Sequence, residues 1–535
     1  MTQKRLASQL PTIALFFMIC ATIVTGLALV SRFHGFRIFD DAYMFLRYAD
    51  HLLAGEGMVW NVGEGPVYGA TSLAYVFSLI PFRLLFPDNG TAALFCSSFF
   101  WGMTFLVLIF RLALVVMKPS KSFKPFLAGF LFLGMVTAAS TLKTHFSSGM
   151  ETTMVMSYLA FALIQLEKLQ HGEGSWIVTS LTLGIAWLVR PDLLIFSLGI
   201  PGLVFLLSPS HRKAWMKVTV ATAILSIGAL LIAKLLTGSF LPMSFYAKSM
   251  KIYGPEFAAG YRWQGLGELV RFMARIWPAL VLFGLGAFIR WPKLIGGKSA
   301  LEKAILLLSL VFAIYYLGFV LQIMGFGQRF YYPLLPFIWY LALREIMQLP
   351  ENLKAYQNLK IQSLPSNWRT AGTVVLAAVL IYYSLDYADS LKKSLPNEPI
   401  AVFDAPSVYQ KSYTDYWPNL LALQKVEGDF SMATTEVGMP AALFPDQVIY
   451  DLAGLNSAKL IEEGLNAKNI LQYCRADLIF LPHTNYVRLN NDLQASKEFQ
   501  NSYIQISNKA LKAELGVAIR KSSPYHAALL NIYQQ

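Results

Sequence analysis

Runs of about twenty apolar residues recur along the first 390 positions, separated by short polar links. A helix of that length spans the roughly 30 Å hydrocarbon core of a bilayer. The pattern therefore predicts membrane-crossing helices near 11–31, 92–116, 125–142, 152–169, 175–190, 193–208, 217–237, 269–289, 302–323, 330–348 and 370–386, or about eleven spans. The pieces at 175–190 and 193–208 are short for full crossings, and the turn between them is a candidate re-entrant turn. The run at 73–87 is interrupted by Pro81 and predicts a segment lying at the outer interface. Ahead of it, Ala42, Phe45, Leu46, Ala49, Leu52 and Leu53 fall at helical spacing. They predict an amphipathic helix on the outer membrane surface, with Arg47, Asp50 and His51 on its polar face and Gly55 as its stop.

From about residue 390 the pattern changes. Short apolar runs at 448–455, 476–482 and 515–521 alternate with polar helical stretches such as 457–472. This predicts a small soluble α/β domain. The expected organisation is a transmembrane module over 1–389, with a first external loop at 32–91, and an α/β domain over 390–535.

Composition agrees with the pattern. Hydrophobic residues make up 56% of the 535, charged residues 14%, and mean hydropathy is +0.49, whereas a soluble domain is about a quarter charged. The net charge of +13 is no sign of nucleic acid, because Lys and Arg accumulate in cytoplasmic loops of membrane proteins. Placing Lys4/Arg5, Lys118/Lys121/Lys124, Lys168, Arg212/Lys213/Lys217, Arg290/Lys293/Lys298/Lys303 and Lys354/Lys360/Arg369 inside gives a cytoplasmic N-terminus and an external C-terminus. The first run outlasts a signal-peptide core and lacks a small-x-small cleavage site, so it reads as an uncleaved span. Cys20, Cys96 and Cys474 are scattered and imply no disulfide framework or metal site.

In this orientation the unusual polar stretches fall on the outer face. They are Asp40-Asp41, "KTHFSSGMET" at 143–152, "VRPD" at 189–192, "TGSFLPMSFYAKSM" at 237–250 and "FGQRF" at 326–330. Ionisable groups at the membrane edge are functional candidates. Asp40 as N-cap and Asp41 as a dipole-complementing acid is one reading. The other is a general base within reach of an acceptor hydroxyl, its twin orienting the acceptor or sharing a divalent cation with it. Arg190 and Asp192 either brace the turn at Pro191 or offer a cation. Glu151 is either a first-turn acid or an acceptor-binding group. Lys248 and Arg329, flanked by Phe245, Tyr246, Phe330 and Tyr331, either snorkel within an aromatic belt or bind a phosphate beside an apolar wall. His34, His51 and His145 have no metal-ligand spacing.

The stretch "FDDAYMFLRYADHLLAGEGMVWNVGE" with "YGATS" after it resembles the first external loop of GT-C glycosyltransferases. The likeness continues, in order, through "SSGMET", "VRPD", "GSFLPMSFYAK", "GQRFYYPLLP" and "DLAGLN". Within that superfamily the chain is most similar to the terminal β-(1→2)-arabinofuranosyltransferases of actinobacterial cell walls and related bacterial proteins. Met243-Ser244 stand where the resemblance leads one to expect Asn-Thr, so no polar contact is carried over at 243.

The resemblance implies a GT-C enzyme of a bacterial cytoplasmic membrane that uses a polyprenyl-phosphate sugar, pentosyl or hexosyl. Its acceptor is a hydroxyl of a surface glycan, glycolipid or protein. Inversion by direct displacement is expected, with Asp40 as base and Asp41 beside it. Arg329, Lys248, Arg190 and Tyr246 are the expected ligands of the donor phosphate, and Glu151, Arg47 and His145 the expected substrate contacts. No cofactor is required by the pattern. The alternative is a transporter or flippase of lipid-linked sugars, which should show matching halves and polar residues near the midplane.

Overall fold

The computed structural model describes residues 38–117, 142–209, 211–247, 255–277, 279–281, 283–284, 299–322, 326–345, 420–482, 486–507 and 516–534. The longer helices among them are α1 (Asp40–Leu53), α2 (Leu73–Leu85), α3 (Gly90–Met117), α4 (Thr152–Gln170), α5 (Arg212–Thr237), α6 (Pro255–Arg275) and α7 (Ala300–Gly318). Three of these, α3, α5 and α7, are long and apolar enough to cross a membrane. The spans expected at 11–31 and 370–386, and almost all of that at 125–142, lie outside the described residues.

Helix α5 shows why the bundle belongs in lipid. Val220, Ile224, Ile227, Leu231 and Leu235 form an exposed stripe, while Val218, Thr222, Ser226, Ala229 and Ala233 are buried. In water the large apolar face would turn inward. Here the small and weakly polar residues face the neighbouring helices, which lets backbones approach closely, and the bulky ones face the hydrocarbon. The chain is a polytopic helical membrane protein.

The spans expected at 92–116, 152–169, 217–237 and 302–323 coincide with α3, α4, α5 and α7, although α7 stops at Gly318. The span placed at 269–289 is described only in part; α6, Pro255–Arg275, overlaps its first residues and is not among the helices apolar enough to cross a membrane. The short pair at 175–190 and 193–208 is a broken helix: Trp176–Gly184, Ala186–Val189, a 3-10 turn at Pro191–Leu193, Leu194–Ser197 and Gly199–Leu207. Helix α2 keeps Pro81 inside it, buries Tyr75, Val76 and Leu79, and exposes Leu84 and Leu85.

Glu167, near the C-terminal end of α4, is fully buried. It receives Tyr340 Oη at 2.7 Å, Arg344 Nη1 at 3.2 Å and His171 Nε2 at 3.1 Å, and Arg344 Nε also donates to Glu302 at 3.0 Å. Charges that have left water need such partners. This network ties α4 to α7 and to the helical stretch 335–345, at the end of α4 opposite Glu151.

Helix α1 differs from its expectation. Phe39, not Asp40, is the N-cap residue, and Asp40 and Asp41 open the first turn. Gly55 does follow the end, with φ +83° and its N–H donating to Leu52 O. Its polar face, however, is not turned to water. Arg47 and His51 are buried, because the C-terminal segment covers that face. Arg47 Nε donates to Trp60 O at 2.7 Å, Nη1 to the carbonyls of Phe444 and Pro445, and Nη2 to Gln447 O and Asn61 Oδ1. A guanidinium has five donors in a rigid fork, and these contacts occupy both of its ends. The substrate contact expected of Arg47 is thereby corrected: its charge joins the C-terminal segment to the first loop.

That segment carries a five-stranded sheet. Strands β1 (Met432–Thr434), β2 (Ile449–Asp451), β3 (Leu478–Phe480), β4 (Tyr503–Ser507) and β5 (Gly516–Arg520) run in the order β2-β1-β3-β5-β4. Strand β1 pairs parallel with β2 and β3, and β5 pairs antiparallel with β3 and β4. The apolar runs at 448–455, 476–482 and 515–521 become β2, β3 and β5, while β1 and β4 carry weaker patterns. The polar stretch 457–472 splits at Gly464 into helices Ala458–Glu463 and Ala467–Tyr473.

The sheet edge at β2 docks on the first loop. Trp60 Nε1 and Asn61 Nδ2 both donate to Ile449 O, and Ile449 N–H returns a bond to Asn61 Oδ1. Beyond β2, Asp451 accepts from the N–H groups of Ala453 and Asn456 and from Asn456 Nδ2, each at 2.8 Å. This closes the "DLAGLN" turn and aims Asn456 Oδ1 at Tyr48 Oη, 2.8 Å away. Gly69 lies against this pair; a Cβ there would stand 2.0 Å from Asn456 Oδ1 and 2.2 Å from Tyr48 Oη. Gly69→Ala should break the Tyr48–Asn456 bond and cost about 1–3 kcal/mol. A lowered unfolding midpoint in detergent, with faster proteolysis between residues 440 and 460, would show it. An unchanged midpoint and digestion pattern would show that this contact does not hold the segment.

Candidate active site

Three of the polar stretches, Asp40-Asp41, 143–152 and 326–330, meet at the start of α1. Phe39 N–H donates to Ser148 O at 3.0 Å. Ser98 Oγ on α3 donates to Phe146 O and accepts from Gly149 N–H, and Gly149, at φ +71°, lets that loop approach Ala42 and Leu94. The "FGQRF" loop arrives through Gly327, whose carbonyl accepts from His145 Nε2 at 2.8 Å. Gly327 and Gln328 are both left-handed, with φ of 64° and 59°. For Gln328 that conformation is uncommon and costs of order 1 kcal/mol. It places Gln328 Nε2 on Glu268 at 2.8 Å and turns Arg329 toward α1.

Arg329 Nη2 donates to Asp41 Oδ2 at 2.6 Å, with both side chains largely buried. Phe330 lies against the guanidinium, 5.2 Å from ring centre to Cζ. The Nε of Arg329 is buried without a hydrogen-bond partner. One arm of this cation therefore neutralises Asp41, and another donor is left unsatisfied beside it.

The C-terminal segment completes the arrangement. Gly438 N–H donates to Asp40 Oδ2 at 2.9 Å and Met439 N–H to Asp40 Oδ1 at 2.7 Å. Both belong to the helix Gly438–Leu443. A Cβ on Gly438 would stand 1.8 Å from the Asp40 carbonyl oxygen, so only glycine permits this approach. Part of Asp40 remains accessible, yet burial pushes its carboxyl up to about 7, against the lowering effect of the two amides and with a smaller contribution from the Asp41 and Asp451 charges. Asp451 is also pushed up, to about 6, by burial.

The other expected site residues fall into place around this centre with different roles. His145 is buried, donates through Nε2, and packs edge-on to Tyr332 with ring centres 4.4 Å apart. Burial first, and the nearby Arg329 charge, lower its basicity to about 4. His145, expected as a substrate contact, is here a neutral ring whose bond to Gly327 positions the Arg329 loop. Arg190 Nε and Nη2 grip Asp192 at 2.8 and 2.6 Å, and Tyr316 Oη binds both partners. Of the two readings of "VRPD", the internal brace is the one seen, and it occupies the arm of Arg190 expected to meet phosphate. Glu151 is buried at the head of α4 with Oε2 unpartnered. Tyr246 is half-buried beside Phe245, on a turn anchored by Met243 N–H to Tyr68 O at 2.8 Å. Lys248 lies outside the described residues. Among the described residues no group of three His, Cys, Asp or Glu side chains is placed to hold a metal ion.

Glu436 was missed by sequence reasoning. It is buried within the electrostatic field of Asp40, Asp41 and Asp451. A lone acid in a "TTEVG" stretch far along the chain offers no periodicity or spacing that would single it out.

The fold is shared with two crystal structures of ArnT from Cupriavidus metallidurans. The form bound to undecaprenyl phosphate superposes with a TM-score of 0.54 at 10% identity, and the apo form with 0.53 at 11%. Each match covers 95% of this chain and 98% of the other. At these identities the likeness is one of fold. No family model and no curated protein matches the chain.

The grip on Asp40 makes a prediction about stability. Its carboxyl is raised to about 7 in the folded state from near 4. The folded state thus holds an extra proton between those values, and this group's contribution to stability falls as pH rises through that window. The two amides matter most once Asp40 is ionised. Gly438→Ala, which separates them from Asp40, should lower the unfolding midpoint more at pH 8 than at pH 5.5. The lost charge-assisted bonds correspond to about 1.5–3 kcal/mol each at the higher pH. Equal losses at both pH values would mean that the contact is steric only.

Proposed function

We propose that this protein is an inverting GT-C glycosyltransferase, with a polyprenyl-phosphate sugar as donor and a hydroxyl of a surface glycan, glycolipid or protein as acceptor. The observation that carries the reading is the adjacency of two unlike carboxylates. Asp40 is enclosed, accessible and raised toward neutrality; Asp41, its neighbour in sequence, holds a buried arginine with an unsatisfied donor. A base and an anion-directed cation thus stand side by side, on the fold that binds undecaprenyl phosphate in ArnT.

In the proposed reaction the acceptor hydroxyl gives its proton to Asp40 as its oxygen attacks the anomeric carbon. The bond from that carbon to the lipid phosphate oxygen breaks on the opposite face, and its electron pair stays with the phosphate. Arg329 stabilises the charge that grows there, a role for which a pre-oriented, desolvated cation is suited. Asp41 fixes the guanidinium. Tyr246 serves the lipid-phosphate side and Glu151 the acceptor side, and Lys248, which lies outside the described residues, is the further cation proposed for the phosphate. The outer face of a bacterial cytoplasmic membrane is the proposed location, with residues 390–535 external and covering the site. Transport is disfavoured because the sheet-bearing segment clamped over α1 has no counterpart in the first half of the described residues.

The direct test is incubation of purified protein with a panel of polyprenyl-phosphate sugars and measurement of released polyprenyl phosphate. Asp40→Asn should insert and fold normally yet lose at least ~100-fold in rate; near-full turnover would remove Asp40 as base. In the parent protein the rate should rise with pH and level off above about 7, since only the ionised carboxylate accepts the proton. Arg329→Gln should weaken binding of the lipid donor by roughly 10–100-fold, the equivalent of a charge-assisted contact of about 1.5–3 kcal/mol. Unaltered donor binding would show that Arg329 serves Asp41 alone.

A further inference from the structure

Glu436 stands two residues ahead of the amides that hold Asp40. Its backbone is locked locally, with its N–H donating to Thr434 Oγ1 at 3.2 Å and Thr434 Oγ1 donating to its carbonyl at 3.3 Å. On the other side, the close contact of Gly438 with the Asp40 backbone fixes the segment. The Glu436 side chain therefore has little freedom to leave the site. It is 8% exposed, and its Oε1 is buried without a hydrogen-bond partner. Burial and the charges of Asp40, Asp41 and Asp451 push its carboxyl well above the ordinary range. A carboxyl raised in this way holds its proton more readily than a free glutamate, and a protonated carboxyl both donates and accepts.

A buried polar atom with nothing to bond is costly, so a ligand that supplies the partner gains by binding. The chemistry of the surroundings limits that ligand. Glu436 shares its surroundings with Asp40, Asp41 and Asp451, and Arg329 is already paired with Asp41, so the group that meets Glu436 is not an anion. A phosphate belongs on the Arg329 side. A cation would require Glu436 to ionise. A neutral hydroxyl matches a group that offers one donor and one acceptor.

We propose that Glu436 is a sugar-binding residue of this site, donating to and accepting from hydroxyls of the glycosyl group carried by the lipid phosphate. It stands two residues ahead of the first amide that holds Asp40 and within the field of Asp40 and Asp41, next to the groups assigned above to the acceptor and the phosphate. The C-terminal segment then supplies a substrate contact as well as a cover. This assignment rests on the glycosyltransferase reading above and adds the residue that distinguishes a sugar-bearing lipid from a bare one.

The test measures binding of two kinds of probe to the full chain in detergent, through quenching of tryptophan fluorescence. One is undecaprenyl phosphate; the other is a set of undecaprenyl-phosphate-linked pentoses and hexoses. The parent protein should bind at least one sugar-linked lipid more tightly than the bare lipid. Glu436→Ala should remove at least about tenfold of that gain, the size of one or two buried hydrogen bonds. Glu436→Asp, which retracts the carboxyl by one methylene, should do the same. Glu436→Gln keeps a donor and an acceptor and should stay within about threefold of the parent. Bare-lipid affinity should be the same in every variant. If Glu436→Ala does not fold, the Asp and Gln variants decide alone.

The proposal is overturned if Gln loses as much as Asp, because the role would then need an ionisable acid. It is also overturned if the sugar-dependent gain survives in Ala or Asp, or if bare-lipid affinity falls in parallel with it, which is the mark of a structural role. A parent protein that binds bare lipid with no gain from any sugar overturns this proposal and leaves the lipid-donor reading standing. One that binds neither probe overturns both.

Discussion

The carboxylate of Asp40 can be enclosed only if something donates to it, and its own helix does not. The donors are the two backbone amides at Gly438 and Met439, nearly 400 positions away in the chain. Buried charge without partners is far more costly than the loss of any single surface contact. The rest of the first loop follows from this constraint. Arg47 spends its guanidinium on carbonyls of the C-terminal segment, Trp60 and Asn61 bind the edge of β2, and Tyr48 meets Asn456. These contacts hold the amides against Asp40. Glycine at 69 and 438 leaves the room that the two surfaces need.

Charge in the site is partitioned rather than pooled. Arg190 and Asp192 satisfy each other and Tyr316, which braces the broken helix. Arg329 pairs with Asp41 but keeps a donor in reserve. Asp451 is surrounded by N–H groups of its own turn. Beside the Asp40–Asp41 pair, the Nε of Arg329 and the Oε1 of Glu436 are left without a hydrogen-bond partner among the described residues, while Asp40 accepts from two amides. A buried polar atom without a partner is costly. These two atoms next to the paired acids support the proposal that the chemistry lies there.

The membrane part supplies the rigid frame. Helix α4 carries Glu151 at one end and Glu167 at the other, about 24 Å apart at 1.5 Å per residue. The Glu167–Arg344–Glu302 network pins the end remote from Asp40. The end near Asp40 is then free to be built from loops, whose left-handed residues at 327 and 328 aim side chains that regular helix would point elsewhere.

Periodicity in the sequence determined the membrane character, several spans and helix α1, because a twenty-residue apolar run has few alternatives in lipid and a 3.6-residue repeat has one apolar face. Strands β2, β3 and β5 were legible for the same reason, as short apolar runs between turns. The pair Asp40-Asp41 and the set of polar loops were also visible, since adjacent acids beside lipid are expensive anywhere. What the residues did with their charge was not legible. Arg47, Arg190, Arg329 and His145 read alike as polar residues near a membrane edge, and only the tertiary structure separated a strut, a brace, a cation paired with Asp41 and a neutral spacer. The same holds for Asp40, whose basicity depends on burial and on partners from a segment that no local pattern connects to it. Glu436 is the extreme case: its meaning lies wholly in a contact between the two ends of the chain, and long-range pairing leaves no periodic trace in a single sequence.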